Sequence, residues 1–243
     1  MAGHSKWNNI KRKKEKTDSQ RAKVFTKVGR EISVAVREGG SDPASNGKLR
    51  DLIAKAKSLN VPNDNIDRLI KKAAGDSDKD SYEAITYEGY GPSGVAIMIS
   101  TLTDNRNRTA GDLRHYLDKF GGNLGQSGCV SFMFTQKGVI VIENNNLDEE
   151  TVLEHCMESG ADDIDFSDEA VEIYMSPADF LTVRKNLEDK GYTFASAELE
   201  YIPSTYVSLG ADDKLKMERL MDMLDDNDDI QNYWHNWEVE VGD

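Results

Sequence analysis

The spacing of apolar side chains divides the 243-residue chain into segments of different period. Residues 1–16 have no apolar period and read as a flexible arm. From Thr17 or Asp18, both good N-cap residues, Phe25, Val28, Ile32 and Ala35/Val36 recur at helical spacing until Gly39-Gly40. Leu49, Leu52, Ile53, Ala56 and Leu59 mark a second helix after Asp42-Pro43. Ile66, Leu69, Ile70 and Ala73 mark a third, between Val61-Pro62-Asn63 and Gly75. Three short helices with short connections predict a small bundle over 17–75.

Beyond the polar stretch Gly75-Asp76-Ser77-Asp78-Lys79-Asp80 the period falls to two. Tyr82 to Glu88 and Val95 to Leu102 read as strands joined by a glycine-rich turn, followed by a helix from about Thr109 to Phe120 that Gly121-Gly122 closes. Val130 to Phe134 and Val139 to Ile142 read as strands, with Gln136-Lys137-Gly138 between them as a hairpin turn or a domain crossing. A helix capped by Asp148 turns Val152, Leu153 and Cys156/Met157 inward and stops at Gly160. Strands at 164–166 and 170–175, a helix from Ser176-Pro177 to Gly191 and a strand at 197–202 complete a β-α-β-β-α-β order, that of a ferredoxin-like split unit. A helix at about 212–224 on Leu215, Leu220 and Leu224, with an extended segment at 233–241, is too little to fold alone and is expected to return to the earlier sheet. The pattern thus predicts an α+β protein of three domains. They are the helical bundle, a discontinuous α+β domain over 80–135 plus 204–243, and a ferredoxin-like domain inserted at 136–203, with the arm 1–16 in front.

Charge sharpens this division. The formal net charge is −14, but residues 1–75 hold 18 basic and 8 acidic side chains, a net of +10, and residues 76–243 carry −24. Residues 1–30 alone carry +8. Such concentration points to an acidic partner, nucleic acid above all, rather than to a solvated basic tail. The start of the chain lacks the apolar core of a signal peptide, the longest apolar runs are too short to span a bilayer, and two cysteines 27 residues apart form no disulfide framework. A cytoplasmic location without membrane association is expected, and a monomer.

Motif searches for catalysis yield little. Gly89-Tyr90-Gly91-Pro92-Ser93-Gly94 matches the dinucleotide string, but strand-like sequence lies on both sides, so a hairpin is the better reading. Gly47-Lys48 lacks the rest of a phosphate-binding loop. Asp225, Asn227 and Asp229 imitate the start of a calcium loop, but Ile230 stands where glycine is obligatory, which leaves an acidic turn. His4, His115, His155 and His235 are dispersed, and Cys129 and Cys156 sit in apolar contexts that suit buried thiols. No metal, no cofactor and no enzymatic activity are expected.

Two clusters carry chemistry. In the arm, Lys6, Lys11, Arg12, Lys13, Lys14 and Lys16 would neutralise phosphates, while Trp7 either stacks on a base or anchors the arm to the bundle. Arg21, Lys23, Lys27 and Arg30 continue the positive surface along the first helix. The second cluster is Arg106 and Arg108, followed by Arg114 and by the glycine run 121–128. Its forked donors either meet phosphate or base edges, or belong to a helix start in which Asp104 or Asp112 pairs with an arginine. The glycines either admit a nucleic-acid backbone or turn the chain.

Met1 to Trp7, Arg21 to Lys27, Tyr87 to Pro92, Thr103 to Thr109 and Gly121 to Gly125 together resemble the YebC/PmpR family, whose mitochondrial relatives include the translational activator of cytochrome c oxidase. The resemblance spans nearly the whole chain. It implies the same three domains and a cytoplasmic regulator of gene expression: a DNA-binding transcriptional regulator or, as in some members, a ribosome-associated factor that helps synthesis past consecutive prolines. A protein-interaction adaptor is a further alternative. Cys129 departs from the small hydroxyl residue usual after Gly128, which bears only on a hydroxyl-dependent contact there.

Overall fold

The computed structural model describes residues 6–14, 18–59, 61–75 and 82–238, without side chains for 12–14, 18–22 and 58. Four helices come first: α1 (Lys6–Lys14), α2 (Asp18–Gly39), α3 (Gly47–Ser58) and α4 (Asn63–Gly75). Then follow β1 (Glu83–Tyr90), β2 (Ala96–Thr103), α5 (Arg106–Lys119), β3 (Asn123–Leu124), β4 (Phe134–Glu143), α6 (Glu149–Ser159), β5 (Asp163–Phe166), β6 (Ala170–Met175), α7 (Phe180–Asp189), β7 (Ser196–Pro203), α8 (Ala211–Asp226) and β8 (Ile230–His235). It is a mixed α+β fold of N-terminal helices and two four-stranded antiparallel sheets. The chain separates into two compact units. One takes the described residues of Thr17–Cys129 and Gly210–Tyr233; the other takes those of Met1–Lys16, Val130–Leu209 and Trp234–Asp243.

In the first unit, α2, α3 and α4 pack around Val28, Ile32, Ala35, Val36, Leu49, Ala56 and Ile66, the stripe that the helical period predicts. Asn46 holds the turn into α3. Its amide donates to the carbonyls of Ala35 and Gly40, and its side-chain oxygen accepts from Leu49 N. Leu59, expected in the stripe, is exposed where α3 ends. The first sheet runs β3-β1-β2-β8, so the segment after α8 does return to it. β2 is buried at seven of its eight positions, as a central strand with both faces covered must be. The string 89–94 is a hairpin turn between β1 and β2, with Pro92–Gly94 in a single helical turn.

In the second unit, the sheet runs β5-β6-β4-β7 with every neighbour antiparallel. This is the strand arrangement expected when β-α-β-β-α-β closes on itself. Side chains alternate between its faces. Ile140, Ile142, Val171, Ile173 and Met175 join Val152, Cys156, Phe180, Val183 and Leu187 of α6 and α7 in one core. Val139, Val141 and Ala170 lie on the opposite face.

Several expectations are corrected. Lys6–Lys14 is a helix rather than an irregular arm. Val130 to Phe134 is not a strand, because Ser131–Met133 forms a helical turn and β4 begins at Phe134. β4 then passes straight through Gln136-Lys137-Gly138. Gly138 is there for packing: a Cβ on it would stand 2.7 Å from Met175 Sδ and 2.8 Å from the Phe180 ring. Leu153, Met157 and Leu215, expected inward, are exposed, because the helices rest on Val152, Cys156, Met217, Leu220 and Leu224.

Candidate nucleic-acid interface

The cation cluster of the first unit is built around the start of α5. Thr103 Oγ1 accepts from Asn105 N at 2.9 Å, and Asn105 Oδ1 accepts from Arg108 N at 3.1 Å. Asn105 thereby caps the helix, which begins at Arg106, three residues before the expected start. No acidic residue occupies the first turn, so Arg106 and Arg108 stand beside the positive end of the helix dipole.

Asp229 holds this arrangement from behind. It is buried, and it accepts from Arg30 Nη1 at 2.5 Å, Thr109 Oγ1 at 2.7 Å, Arg108 Nη2 at 2.9 Å and Thr103 Oγ1 at 3.1 Å. Its backbone carbonyl accepts from Leu102 N at 2.7 Å, and Leu102 O accepts from Arg30 Nη1 at 3.0 Å. One carboxylate therefore ties together α2, the end of β2, the start of α5 and the approach to β8. Burial raises its pKa, but the hydrogen bonds from Arg30, Thr109 and Arg108 outweigh burial and hold it down at about 2. Arg108 also reaches Asp104 at 2.6 Å, and these two carboxylates raise its already high pKa.

The structure thus gives the two arginines different positions. Arg108 is the paired one, with Asp104 as its expected partner and Asp229 as an unexpected second. Arg106 is exposed, its carbonyl accepts from the Tyr87 hydroxyl at 3.2 Å, and among the described residues its guanidinium makes no hydrogen bond or ion pair. Arg114, two turns further along α5, is likewise exposed and without such a partner among the described residues. On α2, Lys23 Nζ donates to the Asp226 carboxylate at 2.7 Å and to its carbonyl at 3.2 Å, and Lys27 Nζ donates to Asp225 O at 2.9 Å. These lysines satisfy carbonyls at the C-terminus of α8, where cations are favoured. The side chain of Arg21 lies outside the described residues.

The glycine run turns and packs the chain. Gly121 and Gly128 take left-handed φ values of 83° and 91°. A Cβ on Gly122 would overlap the Tyr90 carbonyl oxygen, because β3 lies directly against β1. Cys129 is half-buried, with its thiol pKa raised by burial and by Glu88. Among the described residues no group of three or more His, Cys, Asp or Glu is placed to hold a metal, and no helix is long and apolar enough to cross a membrane.

Lys6 and Lys11 of the arm lie in the second unit, on the open face of its sheet. Lys6 Nζ pairs with Glu198 at 3.2 Å and with Glu200. Burial works against the Lys6 ammonium, but Glu200 and Glu198 outweigh it and raise its pKa. The backbone N–H groups of Lys6 and Trp7 donate to the two oxygens of Glu172 at 3.1 and 3.0 Å, which caps α1 from outside the helix. Trp7 Nε1 and Lys11 Nζ both donate to Glu169, at 2.9 and 2.5 Å. Trp7 and Ile10 pack on Val139, Val141 and Ala170, so the tryptophan anchors the arm to this sheet and not to the bundle. The side chains of Arg12, Lys13 and Lys14, and all of Lys16, lie outside the described residues. Sequence reasoning missed Asp229, which it read as part of an acidic turn, and no local signal marks it: its partner Arg108 is 121 residues away.

These features define an α+β protein with N-terminal helices, two antiparallel sheets and cations displayed on an acidic body. Residues 5–76 match the model of the TACO1/YebC protein N-terminal domain, and residues 82–237 that of the TACO1/YebC second and third domain. The chain belongs to the TACO1/YebC family. It is 58% identical over 241 residues to a probable transcriptional regulatory protein of Caldicellulosiruptor bescii, covering 99% of both chains. It is also 58% identical over 242 residues to one of Ruminiclostridium cellulolyticum, covering 99% of this chain and 98% of the relative. The crystal structure of a conserved hypothetical protein of Aquifex aeolicus is similar at 41% identity with a TM-score of 0.84, covering 93% of this chain and 94% of that one.

Proposed function

We propose that this protein is a non-enzymatic, cytoplasmic regulator of gene expression that binds nucleic acid, and that it acts as a DNA-binding transcriptional regulator. The observation that carries this reading is the start of α5. Arg106, exposed and free of hydrogen bonds and ion pairs of its guanidinium among the described residues, stands at the positive end of a 14-residue helix whose start is fixed through Arg108 by a cap and a buried carboxylate. A cation placed there opposes the helix dipole, and an incoming phosphate relieves that opposition while meeting both the guanidinium and the first-turn N–H groups. The regulator names of the relatives support the same reading. A division into three domains, with the β-α-β-β-α-β part inserted into a discontinuous middle one, belongs to this reading as well.

A second reading, association with the ribosome as a translation factor, is favoured by the charge map. With −24 over residues 76–243, contact is confined to a small cationic area, which suits a cleft in structured RNA better than the length of a duplex. The test compares binding of a DNA duplex and a structured RNA by wild type and by Arg106→Ala/Arg114→Ala, alongside sedimentation with ribosomes. The proposal expects duplex binding that the double variant weakens. Co-sedimentation with the large subunit and no duplex binding would move the function to translation. Unchanged affinity for both nucleic acids in the variant would remove the α5 site.

A further inference from the structure

The open face of the second sheet is unusual in what it presents. β6 and β7 place Glu172, Glu198 and Glu200 on the same side as Val139, Val141, Ala170 and Ile202, alternating with the apolar core beneath α6 and α7. Glu172 and Glu200 are buried there. Burying carboxylates is costly unless cations or N–H donors meet them, so this face demands a cover that is cationic on one side and apolar on the other. α1 supplies both: Lys6 and Lys11 for the carboxylates, two backbone N–H groups for Glu172, and Trp7 and Ile10 for the valines. Each arm group suited to phosphate or to base stacking, among those whose side chains are described, is thereby engaged by a glutamate or by the sheet.

We propose that this acidic face is a resident decoy for nucleic acid, so that docking of α1 on the sheet and engagement of α1 with nucleic acid exclude one another. The inference rests on the nucleic-acid reading above and names how the arm is regulated. While α1 is docked, Lys6, Trp7 and Lys11 contribute nothing to binding. An arm that leaves for a phosphate backbone uncovers four glutamates, which repel the nucleic acid from that face and recapture the arm on release. The face favours a cationic cover, since a neutral helix would leave the buried Glu200 without an ammonium partner.

Two measurements test this on the full-length protein. In the first, the Trp7 indole N–H and the amides of residues 6–11 are followed by NMR as a mixed-sequence single-stranded RNA, and separately a DNA duplex, is added at low salt. The proposal expects the indole resonance to move and amide protection to fall as either ligand saturates. Saturation with the indole and amides unchanged would overturn it while leaving the nucleic-acid function intact. In the second, Glu169→Gln/Glu198→Gln loosens the arm by removing two of its ion pairs, and affinity is expected to rise about five-fold, the fold-change of two surface ion pairs of ordinary strength. Glu150→Gln/Glu154→Gln makes the same change of net charge on the exposed side of α6 and is the control. An equal gain in the control would show a net-charge effect and sink the decoy. Failure of wild type and of the loosened-arm variant to bind any nucleic acid would instead remove the functional reading, and the decoy with it.

Discussion

The two places where this chain brings cations and carboxylates together are organised in opposite ways. At the start of α5, one buried carboxylate collects donors from three segments, and Arg30 and Arg108 reach it from helices far apart in sequence. On the second sheet, one short helix distributes two ammonium groups over three glutamates and two backbone N–H groups on a fourth, and its outer contact, Lys11 with Glu169, is half exposed. The first arrangement is a knot, in which releasing any one segment leaves the others holding the carboxylate in place. The second is a latch, closed from one side by a single element. Charge counts alone do not distinguish them; the burial of the carboxylate and the number of separate elements that reach it do.

The sharpest way to break the comparison is to remove the knot. Asp229→Ala leaves Arg30 half-buried without its partner and should destabilise the protein by about 3–5 kcal/mol, the usual cost of breaking a buried ion pair from one side, read as a shift in denaturant midpoint. A cost below about 1 kcal/mol would place the hub on the same footing as surface pairs. The next effect is on acid stability. With a carboxyl held at about 2 against roughly 3.9 in an unfolded chain, the stabilisation is fully present above pH ~4 and is lost as pH falls towards 2. It should amount to about 2 kcal/mol, and Asp229→Asn should flatten that limb of the stability profile.

Removing the latch should act locally. Lys6→Gln is expected to speed amide exchange over residues 6–11 about ten-fold, the scale of one charge-assisted hydrogen bond, with little movement of the global midpoint. A global loss as large as that of Asp229→Ala would show that α1 is part of the core. The smallest effect on stability belongs to Arg106→Ala/Arg114→Ala. Those exposed side chains should change it by less than about 0.5 kcal/mol, while the dependence of log affinity on log salt falls by about 1.8 through two lost phosphate contacts. A variant that melts early would make Arg106 a structural residue like Arg108.

Most of the fold was legible because its elements are periodic within themselves. The bundle stripe, the hairpin at 89–94, the β-α-β-β-α-β order and the return of the last strand to the first sheet all follow from local spacing and turn residues. What was not legible depends on distant partners. Lys6–Lys14 has only Trp7 and Ile10 as apolar residues, too few for a helical signal, and the glutamates that cap and cover it lie more than 150 residues away. Gly138 looked like a turn because its reason for being glycine, Met175 and Phe180, is not adjacent in sequence. At the candidate site, the cationic residues were readable and their division of labour was not. Arg106 and Arg108 have the same composition around them, and Asp229, together with Asp104, separates the displayed one from the held one.

Asp229 also has a place in time. It is translated 121 residues after Arg108 and 199 after Arg30, so throughout most of synthesis the two guanidiniums exist without the carboxylate they are shaped around. The strand that completes the first sheet, Ile230–His235, follows it immediately. A chain interrupted before residue 229 therefore lacks both the last strand and the charge that locks α2 to α5. Such a chain holds Arg30 and Arg108 without the carboxylate they share, and β2 without its neighbour β8.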